Sequence, residues 1–450
     1  MTGRELARAV LERVEQSGSF ANRALSAALD RAPTMSASDR GLATELVYGV
    51  LRRRARLDRA LDALAPRGLG GVDPRARIAL RVGAYQILFL DRIPAYAAVN
   101  ETVDACKRLG APGVGRLANA LLRRLAERGE PPLPDRAGDP RGHLVEAAGL
   151  PQWLARLLLD ELPPAEAVAF GDSVSTPAPL ALRANGLRAT RDEVLARLRA
   201  ERPDAVLEPS PLAPDAVLAR GLEGLAATEA WREGLVSVED TGAQLVVELC
   251  GARPGERILD ACAGSGGKSA HLAALAENGA RVDAVDLSAP KLSEARQSFA
   301  RLGVTGVTTT AADLTTPFGD GVPFDRVLLD APCSGLGVLR RHPEALGRRT
   351  YADLPRLAGQ QARLLATVAP LVALGGTLTY SVCTFDEIEC EDVVAAFLGA
   401  HPDFRVEAPP PSPRVPWARL VDAAGFVRTW PHRDDADAFF AARLVRWRKS

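Results

Sequence analysis

The chain has 450 residues, 47% of them apolar, with 56 basic and 56 acidic residues in balance, which is enough apolar material for more than one core, because single cores stop growing near about 250–300 residues. No run of about 18 uncharged apolar residues occurs, and Met1-Thr2-Gly3-Arg4-Glu5-Leu6 lacks the apolar stretch of a signal peptide; a helical membrane span is excluded and a cytoplasmic protein expected. The six cysteines, at 106, 250, 262, 333, 383 and 390, form no Cys-x-x-Cys pair, and no histidine stands at zinc-finger spacing, so neither a disulfide framework nor a bound metal is expected.

Residues 4 to 130 read as helices. Apolar side chains recur at helical spacing in Leu6, Val10, Leu11 and Val14, in Leu42, Leu46, Val47, Val50 and Leu51, and in Leu80, Ala84, Ile87 and Leu88, with Pro and Gly clusters between them. Residues 1 to 150 hold 24 Arg and Lys against 17 Asp and Glu, while the remainder holds 32 against 39. The basic excess points to an anionic partner. Arginine runs at Arg52-Arg53-Arg54 and Arg123-Arg124 suit either a solvated helix face or RNA phosphates.

Glu130-Pro131-Pro132-Leu133-Pro134 reads as a linker, since consecutive prolines join neither a helix nor a central strand. A helical pattern follows over 153–162, then a strand over Pro179–Asn185 and a helix over Arg191–Leu198. The expected division is a helical domain over 1–135, a small α/β linking module over 150–235, and a larger α/β domain over 236–450.

In that last segment apolar runs at Arg257–Ala261, Val282–Leu287, Val307–Ala311, Phe324–Leu329 and Thr377–Val382 are separated by lengths that fit crossover helices. The alternation predicts a Rossmann-like parallel sheet covered on both faces, whose ligands bind beyond the strands' carboxyl ends. The first run leads into Cys262-Ala263-Gly264-Ser265-Gly266-Gly267-Lys268, a small-residue turn that lets the backbone approach a ligand. Its spacing is neither the dinucleotide pattern nor a Walker loop. Asp286 ends the second run, placed for a ribose; Asp313 follows the third, placed for an adenine amino group. Either could instead cap a helix. Together the turn and the two aspartates fit S-adenosylmethionine, which carries ribose and adenine but no phosphate.

The fourth run ends in Asp330-Ala331-Pro332-Cys333-Ser334-Gly335 and the fifth in Ser381-Val382-Cys383-Thr384. Carbon 5 of a pyrimidine is too weak a nucleophile to accept a methyl group directly. Thiolate addition at carbon 6 makes it enamine-like, and a carboxyl group such as Asp330 can stabilise charge at the ring nitrogen. On chemistry alone either thiol could attack. Asp-Ala-Pro-Cys also differs from the Asn/Asp-Pro-Pro-aromatic turn expected for amino-group methylation.

On these residues the chain resembles the RNA 5-methylcytosine methyltransferases, and within them the bacterial RsmB (Sun, Fmu) family acting on 16S rRNA. Gly337-Val338-Leu339-Arg340-Arg341-His342-Pro343, Gly425-Phe426-Val427-Arg428, Pro431 and Asp437–Phe440 continue the likeness. Leu46–Arg52 and Asn119–Arg124 resemble the helical NusB fold. The resemblance implies an RNA-binding helical domain, Cys383 as nucleophile and Cys333 as the thiol that assists release. It also implies a cofactor pocket of Cys262 to Lys268, Asp286, Asp313 and Asp330, an RNA partner with no membrane or metal, and a monomer. The same catalytic core would serve tRNA or another rRNA site, and a non-catalytic assembly factor is the remaining alternative. The chain departs from the family's Ala-Pro-Gly-Gly-Lys at Gly264-Ser265-Gly266-Gly267-Lys268, from Ser-Thr-Cys-Ser at 381–384, and from Asp-Gly-Phe-Phe at 437–440.

Overall fold

The computed structural model describes residues 1–65, 68–110, 113–316 and 318–448. These fall into two compact units. One comprises Met1–Pro177 with Leu339–Arg349, the other Ala178–Val338 with Thr350–Ser450.

The first unit is helical among the described residues, as the apolar spacing predicts. Its helix starts are written in local chemistry. Thr2 and Glu5 form a reciprocal capping box before Gly3–Ser17, Ser36 accepts from the Asp39 amide before Ala37–Arg52, and Asp73 caps Pro74–Phe89 with proline in the first turn. These caps satisfy amides that a helix leaves without partners. Two glycines allow close helix packing: a Cβ on Gly49 would lie 2.1 Å from the Tyr85 ring, and one on Gly83 would lie 2.5 Å from the Thr102 hydroxyl. Buried Arg81 is offset by Asp58 at 2.6 Å and Glu15 at 2.7 Å.

Leu339–Arg349 belongs to this unit although its sequence neighbours do not. Glu344, buried, accepts from the Ala21 amide at 3.0 Å. That bond caps a helix whose own N-cap, Phe20, has no side-chain acceptor. Arg348 donates to the carbonyls of Gly18 at 2.7 Å and Ser19 at 2.8 Å.

The second unit holds two sheets. Strands β1 (Leu180–Ala184), β2 (Val206–Pro209), β3 (Ala216–Arg220) and β4 (Val236–Val238) form an antiparallel sheet in the order β2-β3-β1-β4. The larger sheet contains β5 (Arg257–Asp260), β6 (Arg281–Asp286), β7 (Val307–Ala311), β8 (Phe324–Asp330), β9 (Val372–Val382), β10 (Phe404–Val406), β11 (Val427–Thr429) and β12 (Phe439–Arg446). Its path is β10-β12-β9-β8-β5-β6-β7, with β11 paired to β12. Strands β5 to β9 are mutually parallel, while β12 runs antiparallel beside β9. The expected α/β architecture with a parallel core is present.

Leu259, Val285, Val327, Leu329, Leu378 and Tyr380 are wholly buried, because helices cover both faces and the strands read as continuous apolar runs. Leu328 lies at the centre with no exposed surface. Leu328→Ala is expected to lower the stability of this unit by about 2–5 kcal/mol, measurable as a shift in its urea transition with an unchanged slope.

Candidate active site

The carboxyl ends of β5 to β9 open on a cleft of about 780 Å³ lined by Cys262, Ala263, Gly264, Asp286, Asp313, Asp330, Cys333 and Cys383, among others. The remaining parts of the turn lie elsewhere. Gly267 and Lys268 border an adjoining pocket of about 150 Å³, and the Ser265 hydroxyl bonds Glu294 at 3.0 Å. Ser265 therefore ties the turn to helix Ala289–Leu302.

The turn's shape follows from its glycines. Gly264 and Gly266 have φ of +56° and +79°, the left-handed region that side chains disfavour. A Cβ on Gly266 would also lie 2.7 Å from Ala295 and Phe299. The Gly266 amide bonds Ala263 O at 2.9 Å, and the Ala263 amide bonds Val285 O at 2.9 Å, which seats the turn on β6. Helix Gly267–Leu275 starts directly after it.

Both oxygens of Asp286 are in use: one accepts from the Gly264 amide at 2.9 Å and the other from the Ser288 amide at 2.8 Å. The carboxylate thus braces the turn while still facing the cleft, each oxygen retaining a second lone pair. Asp313 is exposed and accepts from the Thr315 amide and hydroxyl at 2.9 and 2.7 Å. The Thr315 amide holds its carboxyl below the usual range. Neither aspartate caps a helix: the N-cap of Ala289–Leu302 is Ser288, and a turn follows Asp313, so each carboxylate closes a local turn beside the cleft.

Asp330 receives Lys268 Nζ at 2.6 Å and the Ser381 hydroxyl at 2.8 Å. Burial disfavours the Lys268 ammonium, but Asp330 beside it outweighs that cost and raises its pKa. Cys333 and Cys383 bring their sulfurs to 3.3 Å. The hydrogen bond to Cys383, then burial, holds the Cys333 thiol well above the ordinary thiol range, so it stays protonated at neutral pH. Val382, by contrast, is fully buried and paired with Phe440 across the β9–β12 ladder.

A buried polar network beneath the thiols was not read from the sequence. Ser334 donates its hydroxyl to Thr384 at 3.0 Å, and Thr384 donates to Asp386 at 2.7 Å. Glu389 accepts from the Ser334 amide at 3.0 and 3.2 Å and from Gln361 Nε2 at 2.7 Å. Both carboxyl groups are wholly buried. Burial, reinforced by Asp386, pushes Glu389 up to about 7, and burial also raises Asp386. Leu287, exposed on the cleft wall, was also passed over; its only signal is an apolar residue directly after a strand-end aspartate.

The arginine runs of the first unit separate. Arg52 donates to Arg340 O and Arg53 to Ser175 O, both at 3.4 Å, and Arg53 stacks over Phe89 at 4.4 Å. Those two serve packing within the unit, whereas Arg123 and Arg124 are exposed.

Asp260, at the end of β5, is fully buried and accepts from the Ser269 hydroxyl at 2.6 Å. Burial pushes its pKa up to about 6, above the value near about 3.9 of an unfolded chain. A carboxyl raised in this way favours folding most below its unfolded pKa and loses that advantage as pH climbs through its folded pKa. Wild-type stability relative to Asp260→Asn is therefore expected to fall by roughly 2–3 kcal/mol between pH 4 and 6.5. Urea titrations of both proteins at the two pH values measure it; a constant difference would mean an ordinary carboxyl.

Comparison with known proteins places these features. A family model described as 16S rRNA methyltransferase RsmB/F matches residues 248–445, the NusB family matches 1–127, and an RsmF/B-like ferredoxin-like domain matches 150–221. The chain is 35% identical over 449 residues to the "Probable ribosomal RNA small subunit methyltransferase B" of Bacillus subtilis, covering 98% of each. It is 37% identical over 397 residues to ribosomal RNA small subunit methyltransferase B of Pseudomonas putida, covering 85% of this chain and 86% of that one. Among solved structures, PH0851 superposes with a TM-score of 0.81 at 25% identity over 98% of both chains. NSun6 from Pyrococcus horikoshii, solved with SFG, superposes with a TM-score of 0.58 at 19% identity, covering 66% of this chain and 99% of that one.

Proposed function

The chain belongs to the RsmB/F family of 16S rRNA methyltransferases, and on that premise we propose that it methylates carbon 5 of a cytosine in 16S rRNA through a covalent cysteine adduct. The observation that carries this reading is the pair of thiols 3.3 Å apart beside Asp330 on one cleft. Methylation of an amino group requires no thiol. A ring carbon does, because it must first be made nucleophilic.

In this reading the Cys383 thiolate forms a bond to carbon 6, and the electron pair of the 5,6 double bond moves so that carbon 5 becomes nucleophilic. Asp330, held by Lys268 and Ser381, takes up the proton that the Cys383 thiol gives up and donates it to ring nitrogen 3, where negative charge builds up. S-adenosylmethionine, when bound, supplies the electrophilic methyl group. The donor set suits it: carboxylates at Asp286 and Asp313 for hydroxyl and amino groups, and a tight glycine turn that leaves backbone beside the ligand. After transfer, a water molecule entering the cleft takes the carbon-5 proton, which restores the double bond and expels the Cys383 sulfur. Cys333, protonated at neutral pH, assists release as a proton-carrying neighbour of that sulfur.

Cys383→Ala is expected to transfer no labelled methyl group to unmodified small-subunit rRNA, while Cys333→Ala accumulates a protein–RNA adduct that survives denaturing electrophoresis. Near-normal turnover in Cys383→Ala would overturn the mechanism, and mapping the label identifies the nucleotide. For the helical unit, exposed Arg123 and Arg124 are the proposed phosphate contacts. Replacing both by Ala should weaken RNA binding and reduce the slope of log K against log salt by about 1.5–2; an unchanged slope would leave them merely solvated.

A further inference from the structure

Two loops carry the two thiols, and each is anchored on one side by the β8–β9 ladder. The Ala331 amide bonds Ser381 O at 2.9 Å, which continues the ladder one residue past β8. Pro332 then has no amide to offer, so the loop needs another anchor where Cys333 stands. Its two flanks have one. Pro332 O accepts from Gln361 Nε2 at 3.0 Å, and the Ser334 amide donates to Glu389. Gln361 and Glu389 are themselves bonded at 2.7 Å. Cys333 is thus gripped from both sides by one buried amide–carboxylate pair.

The same carboxylate's residue reaches the other loop. The Glu389 amide donates to Asp386 at 3.0 Å, Asp386 accepts from Thr384, and Thr384, next to Cys383, accepts from Ser334. Tyr380 fixes the base of the arrangement, its hydroxyl lying 2.7 Å from Glu389 O and 3.1 Å from Gln361 Oε1. Glu389 lies outside the cleft lining and has no exposed surface. It cannot touch a substrate, but it sets where Cys333 stands relative to Cys383.

We propose that Glu389 is the positioning residue of the thiol pair, its carboxylate clamping the Ser334 amide so that the Cys333 sulfur is held against Cys383. The functional consequence rests on the reading above; the geometric claim does not. A carboxylate suits the post because it accepts from two donors at once. Both donors reach Oε2, and the Ser334 amide also reaches Oε1 at 3.2 Å, so glutamine would set its NH₂ group against the Ser334 amide and leave a buried N–H without a partner. Aspartate keeps the acceptors but is one methylene too short to reach Ser334 and Gln361 together.

The test uses the full-length protein, with Glu389→Gln and Glu389→Asp, and two readouts. Diamide takes up the two thiol hydrogens as the Cys333–Cys383 disulfide forms, and peptide mass mapping gives the rate of that bond. Steady-state methylation of unmodified 16S rRNA gives kcat and KM. Glu389→Gln is expected to slow disulfide formation at least fivefold and to lower kcat at least tenfold, with KM for RNA within twofold; Glu389→Asp should fall between. If Glu389→Gln does not fold, Glu389→Asp decides. A folded variant with crosslinking and kcat both within twofold of wild type, whatever its melting temperature, overturns the proposal and leaves Glu389 a structural residue. Slowed crosslinking in a protein whose wild type methylates no RNA would instead sink the proposed chemistry while the positioning role stands.

Discussion

The parallel register of β8 and β9 is the constraint on which the site depends. Asp330 lies opposite Ser381, so the chains leave the sheet side by side, and Cys333 three residues past one strand meets Cys383 one residue past the other. A slip of one residue would turn every side chain on β9 to the opposite face. Tyr380 would leave its partners below the sheet and Ser381 would leave Asp330. Such a slip is costly because it would exchange buried apolar Leu378, Tyr380 and Val382 on one face with buried polar Thr379 and Ser381 on the other.

The other groups are arranged around that register. The Gly337 amide bonds Cys383 O at 2.9 Å, and the Ala438 amide bonds Gly337 O at 3.0 Å. A Cβ on Gly337 would lie 2.0 Å from Ala438 O, so three loops meet at a point where only glycine fits. Lys268 joins the glycine turn to Asp330 from the opposite side. The glycine-turn side and the thiol side are therefore linked by one ion pair within the same sheet edge.

Much of this was legible in the sequence because it is periodic or local. Five apolar runs became β5 to β9, and the strand-end residues named from spacing line one cleft, apart from Ser265 to Lys268, of which Ser265 faces a helix and Gly267 and Lys268 border the adjoining pocket. What escaped was non-local. Glu389 sits six residues beyond Cys383 in an acidic stretch that reads as solvated, and only the fold buries it against Ser334 and Gln361. Strand β12 pairs with β9 from nearly 60 residues away, so no short pattern announces which strand it joins. Arg52 and Arg53 looked like surface charge, since an arginine that binds a carbonyl inside its own unit has the same sequence signature as one that binds phosphate.

The placement of Leu339–Arg349 in the helical unit has a consequence for synthesis. Helix Ala21–Asp30 receives its cap from Glu344, so more than 300 residues must be translated before the first unit has all its parts. At about 5–20 residues per second, that unit waits tens of seconds in an incomplete form while the rest of the chain emerges. Release of a finished helical unit early in translation, the usual order for an amino-terminal domain, is closed to this protein.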